Sequence, residues 1–100
     1  MKAVEKKTAK KDRLLIKKSY PKNIQSKFEY FIIDILDDPR NLNSVGNPEE
    51  LRHYEFPVFS RELTKKDRIV YGIEPGINYD IPEEEEIIVF YQYLGHYADK

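Results

Sequence analysis

A chain of 100 residues, 40% of them hydrophobic and eight of them tyrosine, is sufficient for one modest core; it is too short for two and too apolar to stay disordered. With no cysteine, disulfides and thiolate metal sites are excluded, and no apolar run reaches the roughly 18 residues a membrane span needs, so the expectation is one cytoplasmic domain over residues 1–100. The net charge of −1 conceals an asymmetry: residues 1–22 hold nine Lys/Arg against Glu5 and Asp12, a balance of +7, while the remainder carries −8 and includes the run Glu83 to Glu86. Such a basic end favours contact with phosphates, but on composition alone a solvated helix face is the better-supported reading.

In chain order, "MKAVEK" fits a short first strand, and "TAKKDRLLIKKS" fits a helix with Thr8 available as its cap. Leu14, Leu15 and Ile16 are consecutive, so periodicity alone leaves a strand open there. Tyr20-Pro21 breaks the pattern, because the residue before a proline is steered away from helical dihedrals. From Ile24 the spacing Ile24, Phe28, Phe31, Ile35, with Ile32 and Leu36, predicts a second helix ending at "DDPRN".

After Pro39 the texture turns to β. "LNSVGNPEE" is rich in turn formers, and "RHYEF" predicts a strand with Tyr54 and Phe56 on one side. "FSREL" puts Phe59, Arg61 and Leu63 on one face, and "RIVYGIE" puts Ile69, Tyr71 and Ile73 on one face with Arg68 and Val70 on the other. "TKKD" joins these two as a hairpin turn. A long loop, "PGINYDIPEEEE", precedes the last strand, "IIVFYQYL". The expected fold class is α+β, two N-terminal helices on one face of a mostly antiparallel sheet, with the strand order left open.

The polar residues of the β half with catalytic potential are Glu49, Arg52, His53, Arg61, Arg68 and His96, which twisted strands can gather on the face away from the helices. There is no Gly-rich phosphate loop, no serine elbow and no clustered set of metal ligands, and no cofactor is expected. Metal-free cleavage of RNA remains compatible. It needs a base for the 2′-hydroxyl proton, cations for the charged phosphorane and an acid for the leaving 5′-oxygen, roles that Glu, Arg and His can fill.

"GNPEELRH" (Gly46 to His53), "FSRELTKKDRIVY" (Phe59 to Tyr71) and the terminal "GHYADK" resemble the YoeB/Txe toxins of the RelE superfamily. That family's pattern runs G-x-P-E-x-L-[KR]-[HY], W-S-R-x-[IL]-x-x-x-x-R-[IL]-V-Y and a final H-Y, and the likeness is closest over residues 46–73 and 87–100. It implies the RelE-like fold and a ribosome-dependent messenger-RNA endoribonuclease, with a Phd/YefM-type antitoxin as partner and homodimers as an option. By position, the resemblance makes Glu49 the general base, Arg68 the phosphate-stabilising cation and His96 the general acid, with Arg52, Phe59, Arg61 and Tyr97 on the substrate.

Three departures from the pattern stand out: Phe59 replaces the usual Trp, Glu62 a frequent Arg, and Tyr79 to Glu86 lengthen a hairpin. The acidic loop would repel RNA and is expected to point away from the site or to meet a basic partner. Each candidate also has a plainer account: Glu49 as a helix-capping carboxylate, Arg68 in a weak surface ion pair, Phe59 in the core, His53 as structural and His96 as a surface residue. Two other functions fit the same resemblance, a ParE-like inhibitor of gyrase and a non-catalytic protein that binds antitoxin or RNA.

Overall fold

The computed structural model describes residues 1–96. Tyr97, an expected substrate contact, lies outside them.

Strand β1 (Ala3–Glu5) leads into helix α1 (Lys7–Ser19), which is followed after Pro21 by α2 (Lys22–Asp37). The ambiguous Leu14-Leu15-Ile16 run is helical, with Ile16 and Ala9 buried seven residues apart on one stripe and Leu14 and Leu15 exposed. Thr8 is not the cap. Lys6 occupies that position without a side-chain hydrogen bond, because the chain enters the helix directly from the strand pairing that holds the Lys6 N–H on the Phe90 carbonyl. At the other end Lys17 and Lys18 face the helix's partly negative terminus, and Tyr20, extended ahead of Pro21, stops it. In α2, Phe28, Phe31 and Ile35 are the buried stripe, and the helix runs out at Asp38-Pro39.

The rest of the chain builds strands β2 (Glu49–Leu51), β3 (Val58–Thr64), β4 (Asp67–Glu74) and β5 (Ile87–Gln92). Their order is β1-β5-β4-β3-β2, with β1 parallel to β5 and every other pair antiparallel. The expected hairpin at "TKKD" is present, and Arg68 lies near the start of β4. The expected strand over Arg52 to Phe56 is absent: the strand is the preceding Glu49–Leu51. His53 then adopts a left-handed φ of 71°, and Pro57 has no N–H to donate, so an alternating pattern cannot extend as a ladder there.

Helices α1 and α2 lie on one face of the sheet, against β5 and β3 respectively. Between them and the sheet sit Ile16, Phe28, Phe31, Ile35, Phe59, Leu63, Ile69, Tyr71, Ile73, Ile88, Phe90 and Tyr93. Full burial of one large apolar side chain contributes about 1.5–3 kcal/mol, so this layer determines which way each strand points. The opposite face also buries Val58, Val70, Ile87 and Val89, leaving its polar end at Ser60 and Arg68.

Candidate functional site

Register fixes which side chains can meet. Paired residues of an antiparallel sheet share a face, so Glu49, Ser60 and Val70 form one row across β2, β3 and β4, and a register shift beside Val70 sets Gln92 of β5 opposite it. Arg68 lies two residues before Val70 and therefore on the same face, the one away from the helices. From strand spacing and rise, the Glu49 and Arg68 backbones are about 12 Å apart, close enough for the two side chains to reach the ribose hydroxyl and the phosphate of one nucleotide link.

His96 is brought to this row by the turn that follows β5. Gly95 has φ +83°, its carbonyl accepts the Arg68 N–H at 3.0 Å, and the Gln92 amide donates to the Leu94 and Gly95 carbonyls at 2.9 and 3.3 Å. The residue after Gly95 is thereby fixed beside the start of β4. Glu49, Glu50, Leu51, Arg52, His53, Tyr54, Ser60, Arg68 and His96 line one open cleft of about 480 Å³. A second cleft of about 820 Å³ shares the 49–54 lining and extends to Leu42 and Pro57, continuing the concave surface.

Glu49, Arg52, Arg68 and His96 thus line one cleft, and His53, read as structural, lines it too. Glu49 is a strand residue and caps no helix. Two expected substrate contacts are corrected. Arg61 has no exposed surface: it points to the helix side, ion-pairs with Asp34, donates to the Tyr71 hydroxyl at 3.3 Å and lies within reach of the Val45 carbonyl. Phe59 is likewise buried and stacks on Tyr71, with ring centroids 5.5 Å apart. Neither can touch a bound strand. The alternation already held this answer, since both share a face with Leu63.

Sequence reasoning missed Ser60 and Tyr54. Ser60 lies one residue from Arg61 and so on the other face, a parity that could have marked it. Tyr54 was assigned to a strand that does not form, which hid its place on the cleft. The acidic loop leaves β4 at Glu74, six residues and about 20 Å along the strand from Arg68, and contributes nothing to the cleft lining. Two of its carboxylates meet basic side chains instead, Glu83 with Lys2 at 3.6 Å and Glu86 with Arg40 at 3.2 Å. Among the described residues no three His, Cys, Asp or Glu side chains form a metal-binding group, and no helix is long and apolar enough to cross a membrane.

No protein-family model matches the sequence, and no curated protein does. Solved structures do. A YoeB/ParE toxin from Agrobacterium tumefaciens is similar at 21% identity over 97% of this chain and 100% of its own, with a TM-score of 0.74. The YoeB dimer from Staphylococcus aureus gives 18% identity, 97% and 98% coverage and a TM-score of 0.72. The heterotetrameric YoeB-YefM toxin-antitoxin complex from Staphylococcus aureus gives 18% identity, the same coverage and 0.70. Two helices on one face of a five-stranded, mostly antiparallel sheet, together with these likenesses, give the chain the RelE/YoeB-like toxin fold.

Proposed function

We propose that the chain is the toxin of a toxin–antitoxin pair and that its cleft cleaves messenger RNA on the ribosome. The observation that carries the reading is the convergence of Glu49, Arg68 and His96, from three separate segments, on one cleft. Glu49 takes the proton of a ribose 2′-hydroxyl, and the freed oxygen attacks the adjacent phosphorus. Arg68, with Arg52, neutralises the charge that builds on the phosphoryl oxygens. As the bond to the 5′-oxygen breaks, His96 delivers a proton to it, leaving a 2′,3′-cyclic phosphate and a 5′-hydroxyl.

The partner in this reading is a YefM-type antitoxin, as in the YoeB-YefM complex, and self-association follows the precedent of the YoeB dimer. An acidic antitoxin segment suits the basic α1 end.

The test is cleavage of ribosome-bound messenger by the purified chain. Wild type is expected to cut, and Glu49→Gln, Arg68→Ala and His96→Ala to lose about 10²–10⁴-fold in rate, the range one acid, base or preorganised cation supplies. Intact transcripts with wild-type protein, accompanied by DNA damage on induction, would overturn the reading in favour of gyrase inhibition.

A further inference from the structure

The segment that presents His96 has little packing of its own at its last step. A Cβ added at Gly95 would meet no atom within 4 Å, and the residue stands in a left-handed conformation that nothing around it imposes sterically. What holds it is hydrogen bonding, and beyond Arg68 and Gln92 the donors end on two carboxylates from distant parts of the chain. Asp12, on α1, accepts the N–H groups of Tyr93 and Leu94 on one oxygen, at 2.9 and 3.1 Å. Asp67, at the β3–β4 hairpin, accepts the Gly95 N–H on Oδ1 at 2.8 Å.

Asp67 is itself locked. It is 4% exposed, and its second oxygen accepts from the hydroxyls of Thr64 at 2.8 Å and Tyr20 at 3.0 Å. Burial alone would push its carboxyl up, but the Gly95 N–H and those two hydroxyls outweigh burial and hold it below the usual carboxylate range. An ionised carboxylate accepting a backbone N–H makes a stronger bond than a neutral acceptor does. Three consecutive N–H groups, those of residues 93, 94 and 95, therefore end on charged acceptors just before the proposed general acid.

We propose that Asp12 and Asp67 are positioning residues for His96: two carboxylates that clamp the backbone of residues 93–95 and so place the imidazole against Arg68. The inference rests on the ribonuclease reading above for its catalytic consequence, and on the hydrogen-bond geometry alone for the clamp. A displacement of about 1 Å at a reacting group can cost on the order of 100-fold in rate, so a clamp that acts through His96 has a kinetic signature. It lowers kcat and leaves KM nearly unchanged, because Arg52 and Arg68 still bind the phosphates.

The experiment compares full-length wild type with Asp12→Ala, Asp67→Ala, Asp67→Asn and Tyr20→Phe. Backbone-amide hydrogen exchange at Leu94 and Gly95 is followed by NMR, alongside kcat and KM for ribosome-bound messenger. Asp67→Ala is expected to speed Gly95 exchange at least about tenfold and to cut kcat about 10- to 100-fold at constant KM. Asp12→Ala is expected to do the same through Leu94.

Asp67→Asn is expected to recover most of both, since its amide oxygen can still accept from Gly95 while its NH₂ meets the two hydroxyls. Tyr20→Phe removes a hydrogen bond to Asp67 without touching Gly95. If it lowers kcat as much as Asp67→Ala does, the effect is general destabilisation and the clamp is refuted. Unchanged Gly95 exchange in Asp67→Ala refutes it as well. A wild-type protein that does not cut RNA overturns the ribonuclease reading, while the exchange data still decide for or against the clamp.

Discussion

Arg61 and Asp34 form an ion pair on the helix side of the sheet, in which the guanidinium is fully buried while the carboxylate side chain keeps 26% of its surface exposed. Arg61 already has one nitrogen, Nη2, without a hydrogen-bond partner, so Asp34 is the counter-charge that makes its burial tolerable. Removing either partner therefore has unequal consequences. Asp34→Ala strands a buried cation and is expected to cost about 3–5 kcal/mol. Arg61→Met leaves a carboxylate that water can reach and is expected to cost about 1–3 kcal/mol. Urea unfolding of the two variants checks the order, and equal losses would contradict it.

Acid should destabilise the fold, with a sign set by three carboxyls. Hydrogen bonds from Ser44 and Arg61 hold Asp34 below the usual carboxylate range. Burial pushes Glu5 and Asp67 upward, but Arg13 and Tyr93 on Glu5, and Gly95, Thr64 and Tyr20 on Asp67, outweigh it and lower both. A carboxyl lowered on folding contributes stability that is fully present above its unfolded pKa of about 4 and is lost as pH falls through the folded value. The unfolding midpoint should be flat between pH 7 and 5 and fall clearly by pH 3, less steeply in Asp67→Asn. A midpoint that rises on acidification would reverse the sign and sink the account.

Two glycines with the same dihedral should respond differently to alanine. Gly46 and Gly95 both have φ +83°, which costs an L-residue about 1–2 kcal/mol. A Cβ at Gly46 would also lie 2.6 Å from a Phe31 ring carbon, whereas at Gly95 it meets open space. Gly46→Ala is expected to lose about 2–4 kcal/mol as strain and steric overlap combine, and Gly95→Ala about 1 kcal/mol. Thermal unfolding distinguishes them, and a Gly95→Ala loss as large as that of Gly46→Ala would show contacts at the turn that the structure lacks.

Much of the scaffold was legible from spacing. The apolar stripe of α2, the β3–β4 hairpin and the placing of Arg68 and Tyr71 on opposite faces all follow from periods of 3.6 and 2. The cleft was legible at Glu49, Arg52, Arg68 and His96 but not in its cause, since Glu49, Arg68 and His96 meet through the successive pairing of β2 with β3, β3 with β4 and β4 with β5. Arg61 was misjudged because charge argued for the outside, and the residue that reverses that argument, Asp34, lies 27 positions earlier on another element. The strand expected at Arg52 to Phe56 failed on local backbone: a left-handed His53 cannot be read from alternation.

The acidic loop should be neutral for the chemistry. Exposed pairs such as Glu83 with Lys2 and Glu86 with Arg40 each contribute roughly 0–1 kcal/mol, and the loop lies at the far end of β4 from Arg68. Replacing Glu83 to Glu86 by glutamine is expected to change cleavage of ribosome-bound messenger by less than about twofold at physiological salt, where charges more than about 8 Å apart are screened. A tenfold gain in rate would show that these carboxylates repel the substrate after all.

Strand order carries a consequence in time. β5 lies between β1 and β4, so the third residue of the chain finds its sheet partner only at residue 88, and an interior strand of the sheet is the last of the five to be made. Pairings this distant in sequence form slowly, because a long loop must close before any contact compensates for it. Before β5 is made, α1 lacks the strand it chiefly packs on and the residues around His96 do not yet exist. The cleft is complete only when β5 has paired with both β1 and β4 and the turn after it has set His96 beside Arg68.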